Sequence, residues 1–575
     1  MSTLTRWIVV CLAGLSAAIS LAAATRPLGA QEAAYADWRN AHHAVDTLAA
    51  GTLDRWDDQP IEVWRERLEN ARSAFLQAPL SHHPTAEERR AQRLMRADVD
   101  AASGAAALLS GGAGKSARCT DRDRAVDEAA LISTLYDCFS ALGNHLEFEQ
   151  RSLARATALE LLHEIPEAHR REALFRAFTP LWQALNGDGQ SIESPYRRLM
   201  RLTVDNRPAS GDRVDEAART VGVDRHTVER WLVGALKTWS AVTRGPDIEP
   251  WDYWYQHTAV TQPLDQRLKP EDVATLSSRY FQDLGADLSA MGILHDLASR
   301  PGKAPLAYTD YVQIGQLIDG IWQPARVRVS ATVEKGGLYI ANEIIHEDGH
   351  AVHMMALRTR PAFFDLGDAV FYEAFADVPS WSVASPAFQH RYLGHALAPR
   401  ASYEALFAGV MLDIAWGLFE LRMLDHPDSD PNQVWTEITQ RYLHIRPHPE
   451  LAWWALRVQL VHAPGYMINY GLGAVLTADL RARIARAVGP FDAGNTRWYP
   501  WTAQHLLQFG ETIETPTLLR RFLGRPISDQ ALRRELRRIG ATTQATSDSV
   551  ASKIATASSI SAADTTNGGM NRTVD

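Results

Sequence analysis

Two histidines flank a glutamate and an aspartate-glycine pair in the stretch Ala341-Asn-Glu-Ile-Ile-His-Glu-Asp-Gly-His-Ala-Val-His353. Its apolar residues recur every three to four positions, so the stretch reads as a helix. Four helical residues turn the chain by about 400°, which sets His346 and His350 on one face, roughly 6 Å apart along the axis. Two imidazoles so placed can share one zinc ion, and Glu347 can reach a water on that ion. The pattern HExxH also arises by chance in roughly a few per cent of chains this long, so it needs support from elsewhere.

Zinc held by two histidines needs a third protein ligand, with the fourth position left for water. Phe371-Tyr-Glu-Ala-Phe-Ala-Asp377 offers Glu373, 23 residues past His350. That distance lets the first helix end near Pro361 and a second run back beside it. Asp377 lies one turn further along the same face, placed to bond the free nitrogen of a ligand histidine and fix its tautomer. A surface carboxylate is the competing assignment for Glu373; the apolar neighbours Phe371, Phe375 and Val378 and the upstream motif favour the ligand. His353 is about 10.5 Å along the helix from His346, too far to share the metal. It is assigned to the cleft wall or to a hydrogen bond behind the ligands. Asp348 adds a negative charge beside Glu347, which would raise the pKa of that pair if close and poorly solvated.

The elements that must position these residues are mostly helices. Apolar spacings of three and four predict Ile61–Leu76, Ala86–Ala107, Val126–Ala141, Glu149–Leu162 and Glu167–Leu185, with no alternating pattern in competition. Further helices are expected at Pro270–Leu284 and near Leu288–Leu297, and from Leu338 to about Arg538. The β-like region is Ala307–Gln316 and Ala325–Val333, ahead of the Lys335-Gly-Gly337 turn. An edge strand there, beside the metal helix, can hold an extended peptide by main-chain hydrogen bonds. The fold class is therefore mainly α, with a small β-sheet next to the zinc helix.

Organisation follows from composition. Arg6, the apolar run Trp7 to Leu21 and Ala22-Ala-Ala24 read as a secretory signal, cleaved there or after Ala30. The run is shorter than the ~20 apolar residues of a membrane span, so no stable span is expected once the signal is removed. Residues 1–30 are thus a signal peptide, 31–245 an N-terminal helical region and 246–540 a catalytic region. Residues 541–575, rich in Ala, Ser and Thr, are a disordered tail. The protein is expected to be secreted or periplasmic. Cys119 and Cys138 either form a disulfide closing a loop of about 20 residues or stay as buried thiols; both roles are structural. Ser110-Gly-Gly-Ala-Gly-Lys115 is a flexible loop that lacks the first glycine and the strand of a phosphate loop. Seventeen tryptophans fit a helix-rich enzyme with an aromatic-lined cleft. The aromatic stretch Glu249–Tyr255 is assigned to packing.

Asp215 to Leu232, with Gly222 at a turn, has the form of a helix-turn-helix, and equally of an ordinary helical hairpin. A net charge of −9 on an exported chain favours the hairpin and argues against a nucleic-acid partner.

Taken together, the motifs resemble a zinc metallopeptidase superfamily with an HExxH motif and a glutamate ligand, the gluzincins. His346 to His353 resembles the HExGHAxH signature of thimet-type oligopeptidases. Tyr372-Glu-Ala-Phe-Ala-Asp377 with Ser382-Val383 resembles a segment of angiotensin-converting-enzyme-type peptidases. Glu249-Pro-Trp-Asp-Tyr-Trp-Tyr255 is similar to a Pro/Ala-Trp-Asp-x-x-Tyr element of the thimet group. His462-Ala-Pro-Gly-Tyr-Met-Ile-Asn-Tyr-Gly-Leu-Gly473 is similar to a His…Gly-Tyr…Tyr segment of both groups and of thermostable carboxypeptidases of the Taq type. These blocks are scattered over roughly residues 245–525.

The resemblance implies a two-lobed helical molecule with a deep channel, one zinc ion per chain at its floor, and His346, His350 and Glu373 as ligands. It implies that Glu347 is the general base, that His462 lies near the substrate's carbonyl or main chain, and that Tyr470, with Tyr466 as a companion candidate, donates to the oxyanion. A neutral donor aimed there typically contributes a few kcal/mol. Pro464-Gly465, Gly471 and Gly473 make this segment bendable. Two departures stand out. Leu460 replaces the lysine that holds a substrate's terminal carboxylate in the angiotensin-converting group, and Asn469 replaces its arginine, so release of C-terminal dipeptides and chloride activation are not supported. The function expected is hydrolysis of peptide bonds in short peptides. A carboxypeptidase-type exopeptidase and a non-catalytic peptide-binding protein on the same scaffold are the alternatives.

Overall fold

The computed structural model describes residues 29–49, 53–78, 84–112, 119, 127–187, 193–298, 300, 307–318 and 320–540. The expected signal segment up to residue 28, residues 113–115 of the expected Gly-rich loop, and the tail 541–575 lie outside the described residues; Ser110 to Gly112 of that loop instead continue the helix Ala86–Gly112.

Helix starts follow the local chemistry. Asp127 accepts from the amide of Ala130 to open Glu128–Gly143, and Asp212 with Asp215 forms a reciprocal box that opens Arg213–Thr220. Prolines stand in the first turn of Pro195–Asp205, Pro270–Asp283, Pro399–Asp425 and Pro431–Leu443, where a missing amide hydrogen costs nothing. The chain is mainly helical, as its periodicity predicts. Among the described residues no helix is long and apolar enough to cross a membrane.

Three expected helices differ. The helix expected from Glu149 begins at Arg155, because Leu146–Phe148 and Arg151–Leu153 pair as a hairpin. Its two-residue turn puts Glu149 and Gln150 at φ 47° and 62°, the left-handed pair such turns need, without the Asn-Gly signal that advertises one. Glu167–Leu185 divides into Ala168–Arg176 and Thr179–Asn186. Pro180 would clash with the carbonyl four residues back in one continuous helix. Near Leu288–Leu297 there are turns and then a short strand, Leu294–Asp296, which pairs parallel with Arg326–Ser330.

That strand completes a three-stranded sheet with Arg326–Ser330 in the centre and Tyr308–Gln313 antiparallel on its other side. The outer strand is fixed by the N-terminal helix Ala30–Ala49. His43 and Thr47 reach Asp310 at 3.0 and 3.1 Å, and Asn40 accepts from the amide of Ile314 at 2.9 Å. Its other flank lies against the helix Leu338–Ala356, which carries the HExxH motif.

The main hydrophobic core joins residues from Ala36 and Leu131 to Ile539, on both sides of the boundary drawn near residue 246. Phe175, from the N-terminal region, meets the rings of Trp251, Trp254 and Trp453 at 6.0–6.2 Å. Trp239, Trp435, Trp453, Trp454 and Trp498 are fully buried, so this part of the tryptophan count belongs to packing rather than to a cleft wall. Trp251 and Tyr253 are buried too, as assigned for their stretch. The hairpin Arg213–Thr220 and Arg225–Val242 turns at Gly222, whose φ is +74°, and faces the core with Val214, Ala217, Val228 and Leu232. Its Arg225 is engaged by Asp212 and Asp425. Cys119 and Cys138 form a disulfide with Cα atoms 5.0 Å apart.

Candidate metal centre

The motif helix Leu338–Ala356 and the helix Ala369–Ser380 cross backbone against backbone. A Cβ on Gly349 would stand 2.9 Å from the Cα of Ala376 and 3.0 Å from its carbonyl oxygen, so only glycine permits this approach. Asn342 donates to the carbonyl of Ser380 at 2.9 Å and ties the same pair further along. The crossing sets Glu373 opposite the two motif histidines. The Nε2 atoms of His346 and His350 are 3.1 Å apart, and Glu373 Oε2 is 3.3 and 3.7 Å from them.

These spacings fit a metal ion. Three corners of a tetrahedron centred about 2.0–2.1 Å away are separated by roughly 3.3 Å, the middle of the observed range. The donor set, two imidazoles and a carboxylate, can hold a divalent cation. Asp377 Oδ1 lies 2.8 Å from His346 Nδ1 and is also reached by Ser380 Oγ at 3.3 Å. With its proton on Nδ1 facing Asp377, His346 presents the Nε2 lone pair to the centre of the triad. Burial alone would favour a neutral Glu373, but His346 and His350 at its oxygens hold its pKa well below the usual carboxylate range.

Glu347 points to the sheet side of the helix. Thr309, in the outer strand, donates to its Oε2 at 2.7 Å and lies 2.9 Å from its carbonyl oxygen. The neighbouring Asp348 turns elsewhere: its carboxylate is buried against Ser277 Oγ at 2.5 Å and His295 Nε2 at 2.7 Å. The two carboxylates therefore do not face each other, since successive helical residues point about 100° apart. Burial disfavours a charged His295, yet Asp348 outweighs it and raises its pKa. His353 is buried between the rings of Phe371 and Phe375, and burial pulls its pKa down to about 3. It lines no cleft, and its Nδ1 has no hydrogen-bond partner.

Tyr466 and Tyr470 stand with ring centroids 5.9 Å apart. Burial and then the charge of Glu373 raise the pKa of Tyr466. Tyr470 is pushed up to about 12 by burial, with Arg457 opposing and Asp413, Tyr466 and Glu373 reinforcing. Burial thus keeps both phenols protonated, and the Tyr470 hydroxyl accepts from Gln459 Nε2 at 3.1 Å. Tyr372 packs its ring 5.6 Å from that of His350. The exposed ring of His462 lies 4.7 Å from that of Tyr136. Tyr136 sits in the N-terminal region, where no motif marks it. The bendable segment is also firmer than expected. Gly471 lies inside the helix Ile468–Val488, packed where a Cβ would meet Leu232 at 2.5 Å.

Four separate elements converge around Tyr339, one turn before Glu343 on the motif helix. Its phenol is pushed up to about 12 by burial and then by Glu343, while Arg457 opposes and Glu160 and Asp413 add to the rise. The side chain is nevertheless 73% exposed. Arg457 pairs with Asp413 and stacks its guanidinium over Trp416 and Tyr470, 4.7 and 5.8 Å from the ring centroids. Leu460, where an anchoring lysine was sought, is fully buried. Spacing gave no sign of Thr309, Asp413 or Arg457, because each meets its partner only through tertiary packing.

No protein-family model matches the sequence, and no curated protein does. Solved structures do match. The M32 carboxypeptidase from Deinococcus radiodurans R1 is 15% identical with a TM-score of 0.53, covering 88% of this chain and 98% of its own. The structure of CHT is 15% identical with a TM-score of 0.52, covering 88% of this chain and 99% of its own. A match over 88% of the chain cannot be confined to residues 246–540. The N-terminal helical region, in which sequence motifs are absent, therefore takes part in the fold that this chain shares with those two proteins.

Proposed function

We propose that the chain is a zinc-dependent metallopeptidase that hydrolyses peptide bonds in short peptides. The observation that carries this reading is the meeting of His346, His350 and Glu373 at 3.1–3.7 Å beside Glu347, itself held by Thr309. Zinc, when bound by the three ligands, supplies a Lewis acid that polarises a peptide carbonyl and acidifies water. Glu347 accepts the water's proton on a carboxylate oxygen and passes it to the nitrogen of the leaving amine. Water is thus divided across the C–N bond, with hydroxyl on the carbonyl carbon and hydrogen on the amine. Thr309 orients Glu347 Oε2 for that exchange. Tyr466 and Tyr470 donate hydrogen bonds to the carbonyl oxygen as it gains negative charge. The outer strand Tyr308–Gln313 lies where an extended peptide could pair with its backbone.

A carboxypeptidase-type preference is favoured by Arg457, 31% exposed, paired with Asp413 and stacked on Tyr470, together with the fold shared with a carboxypeptidase. A guanidinium there can receive a substrate's terminal carboxylate, the role that Leu460 does not fill. The test is mass spectrometry of products from a mixed peptide pool given to zinc-loaded protein, with free and amidated C-termini in parallel. Cleavage lost in Glu347→Gln supports the peptidase reading, and loss on amidation supports the exopeptidase form. A zinc-loaded protein that cleaves nothing, or a Glu347→Gln variant as active as the wild type, overturns the first. Equal cleavage of amidated peptides at internal bonds overturns the second.

A further inference from the structure

Glu420 is a buried carboxylate that the hydrolytic scheme does not use. It lies on the helix Pro399–Asp425 and is 1% exposed. Its Oε1 accepts from the amide of Gly465 and its Oε2 from the amide of Met467, both at 2.8 Å. Those two amides flank Tyr466. The same helix and turn also meet at Gly417, where a Cβ would be 3.1 Å from the carbonyl oxygen of Met467. Gly465 adopts φ +88°, and a Cβ there would stand 3.0 Å from the Cβ of Arg213. The turn is therefore fixed from both sides, by a carboxylate and by close backbone packing.

An ionised carboxyl taken out of water is costly to the fold. Burial, against the two amide donors and Arg213, pushes Glu420 up to about 8, so near neutral pH the turn grips mainly the neutral acid. Two amide donors satisfy Glu420, and its location near the start of the helix Ile468–Val488 adds favourable dipole contact. Arg213 is the cation that faces it, Asp212 the opposing anion and Tyr196 the neighbouring phenol. A carboxylate kept here for stability alone would need only to cap the helix. What singles this one out is that its two oxygens grip the residues on either side of Tyr466, the phenol that the proposed hydrolysis uses.

We propose that Glu420 is a positioning residue for Tyr466: by gripping the amides of Gly465 and Met467 it fixes the approach of the phenol to the metal triad and so sets the rate of hydrolysis. The proposal rests on the peptidase reading above. It assigns no contact between Glu420 and substrate.

Glu420→Gln tests it, because the amide keeps the shape but sets an NH2 donor against one of the two backbone N–H groups that Glu420 accepts from. Hydrogen exchange of the segment 463–470 should quicken, with zinc affinity unchanged. The turnover number should fall roughly ten- to a hundred-fold, as a displaced catalytic group does, while KM stays close to that of the wild type. Combined with Tyr466→Phe, Glu420→Gln should cost nothing further, since the two act through one hydroxyl. Additive losses in the double variant, or full turnover in a folded Glu420→Gln protein, would overturn the proposal and leave Glu420 as a helix cap. A fluorotyrosine at position 466 gives a readout independent of activity. Its fluorine resonance should shift on zinc addition in the wild type and shift less in Glu420→Gln; an equal shift in both overturns the positioning role. Should zinc-loaded wild type cleave no peptide, the peptidase reading fails, while the exchange and fluorine measurements still decide whether Glu420 places Tyr466.

Discussion

Gly349 meets Ala376 so closely that a methyl group in place of its hydrogen would come within 2.9 Å of the Ala376 Cα. The contact is what lets Glu373 face His346 and His350. Gly349→Ala would gain helix propensity of about 1 kcal/mol, but the overpacked crossing should lose about 1–3 kcal/mol. The expected outcome is a lower melting temperature together with weaker zinc binding, because the carboxylate helix must move outward. Calorimetry of the zinc-free protein and a zinc competition titration check the two parts. Unchanged zinc affinity would separate the crossing from the site.

Asp377 is predicted to act on the metal through His346. Asp377→Asn keeps the size of the side chain but removes the charge that favours a proton on His346 Nδ1. Zinc affinity should fall about 10- to 100-fold, as for other carboxylate–histidine pairs behind a metal. Competition with a chromogenic chelator measures it. Activity restored at saturating zinc is expected, because the triad itself stays intact.

The helical parts of this site were legible because their residues are neighbours along a helix. His346 with His350, and Glu373 with Asp377, each need only a spacing of four. Pairs made by packing carried no such signal. Thr309 and Glu347 are 38 residues apart, Asp413 and Arg457 are 44, and Glu420 and Gly465 are 45. Nothing in a sequence marks which threonine of a strand will face a particular glutamate. The hairpin at Glu149-Gln150 was missed for a related reason, since its left-handed turn uses residues that rarely announce one. The ring contact of His462 with Tyr136 likewise joins residues far apart in the chain, and no spacing marks Tyr136.

Thr309 should matter for turnover and not for the metal. Thr309→Val removes the hydroxyl and preserves the branched shape the strand prefers. A hydrogen bond to a charged group contributes about 1.5–3 kcal/mol, so the turnover number should drop roughly ten- to a hundred-fold if that bond holds Glu347 for proton transfer. Zinc content, read by elemental analysis, should equal that of the wild type. A variant that turns over normally would show that Glu347 is oriented by other means.

Stability should depend on pH through Glu420. Burial pushes its carboxyl up to about 8, against the two amide donors and Arg213, whereas an ordinary glutamate titrates at 4.5. Between those values the unfolded chain has released the proton that the native protein still holds. Unfolding then releases a proton, so rising pH favours it. The stabilising difference is fully present below the unfolded pKa and is lost as pH rises towards the native one, at about 1.4 kcal/mol per pH unit where the slope is steepest. Other groups titrate over the same range, and Glu420→Gln removes this one alone. Denaturant unfolding of both proteins between about pH 5 and about pH 9 should show the wild type losing stability relative to Glu420→Gln, with the difference levelling off above about pH 8. Parallel curves would mean that Glu420 ionises in the native protein at the same pH as in the unfolded chain, with the two amides and Arg213 then offsetting the whole cost of its burial.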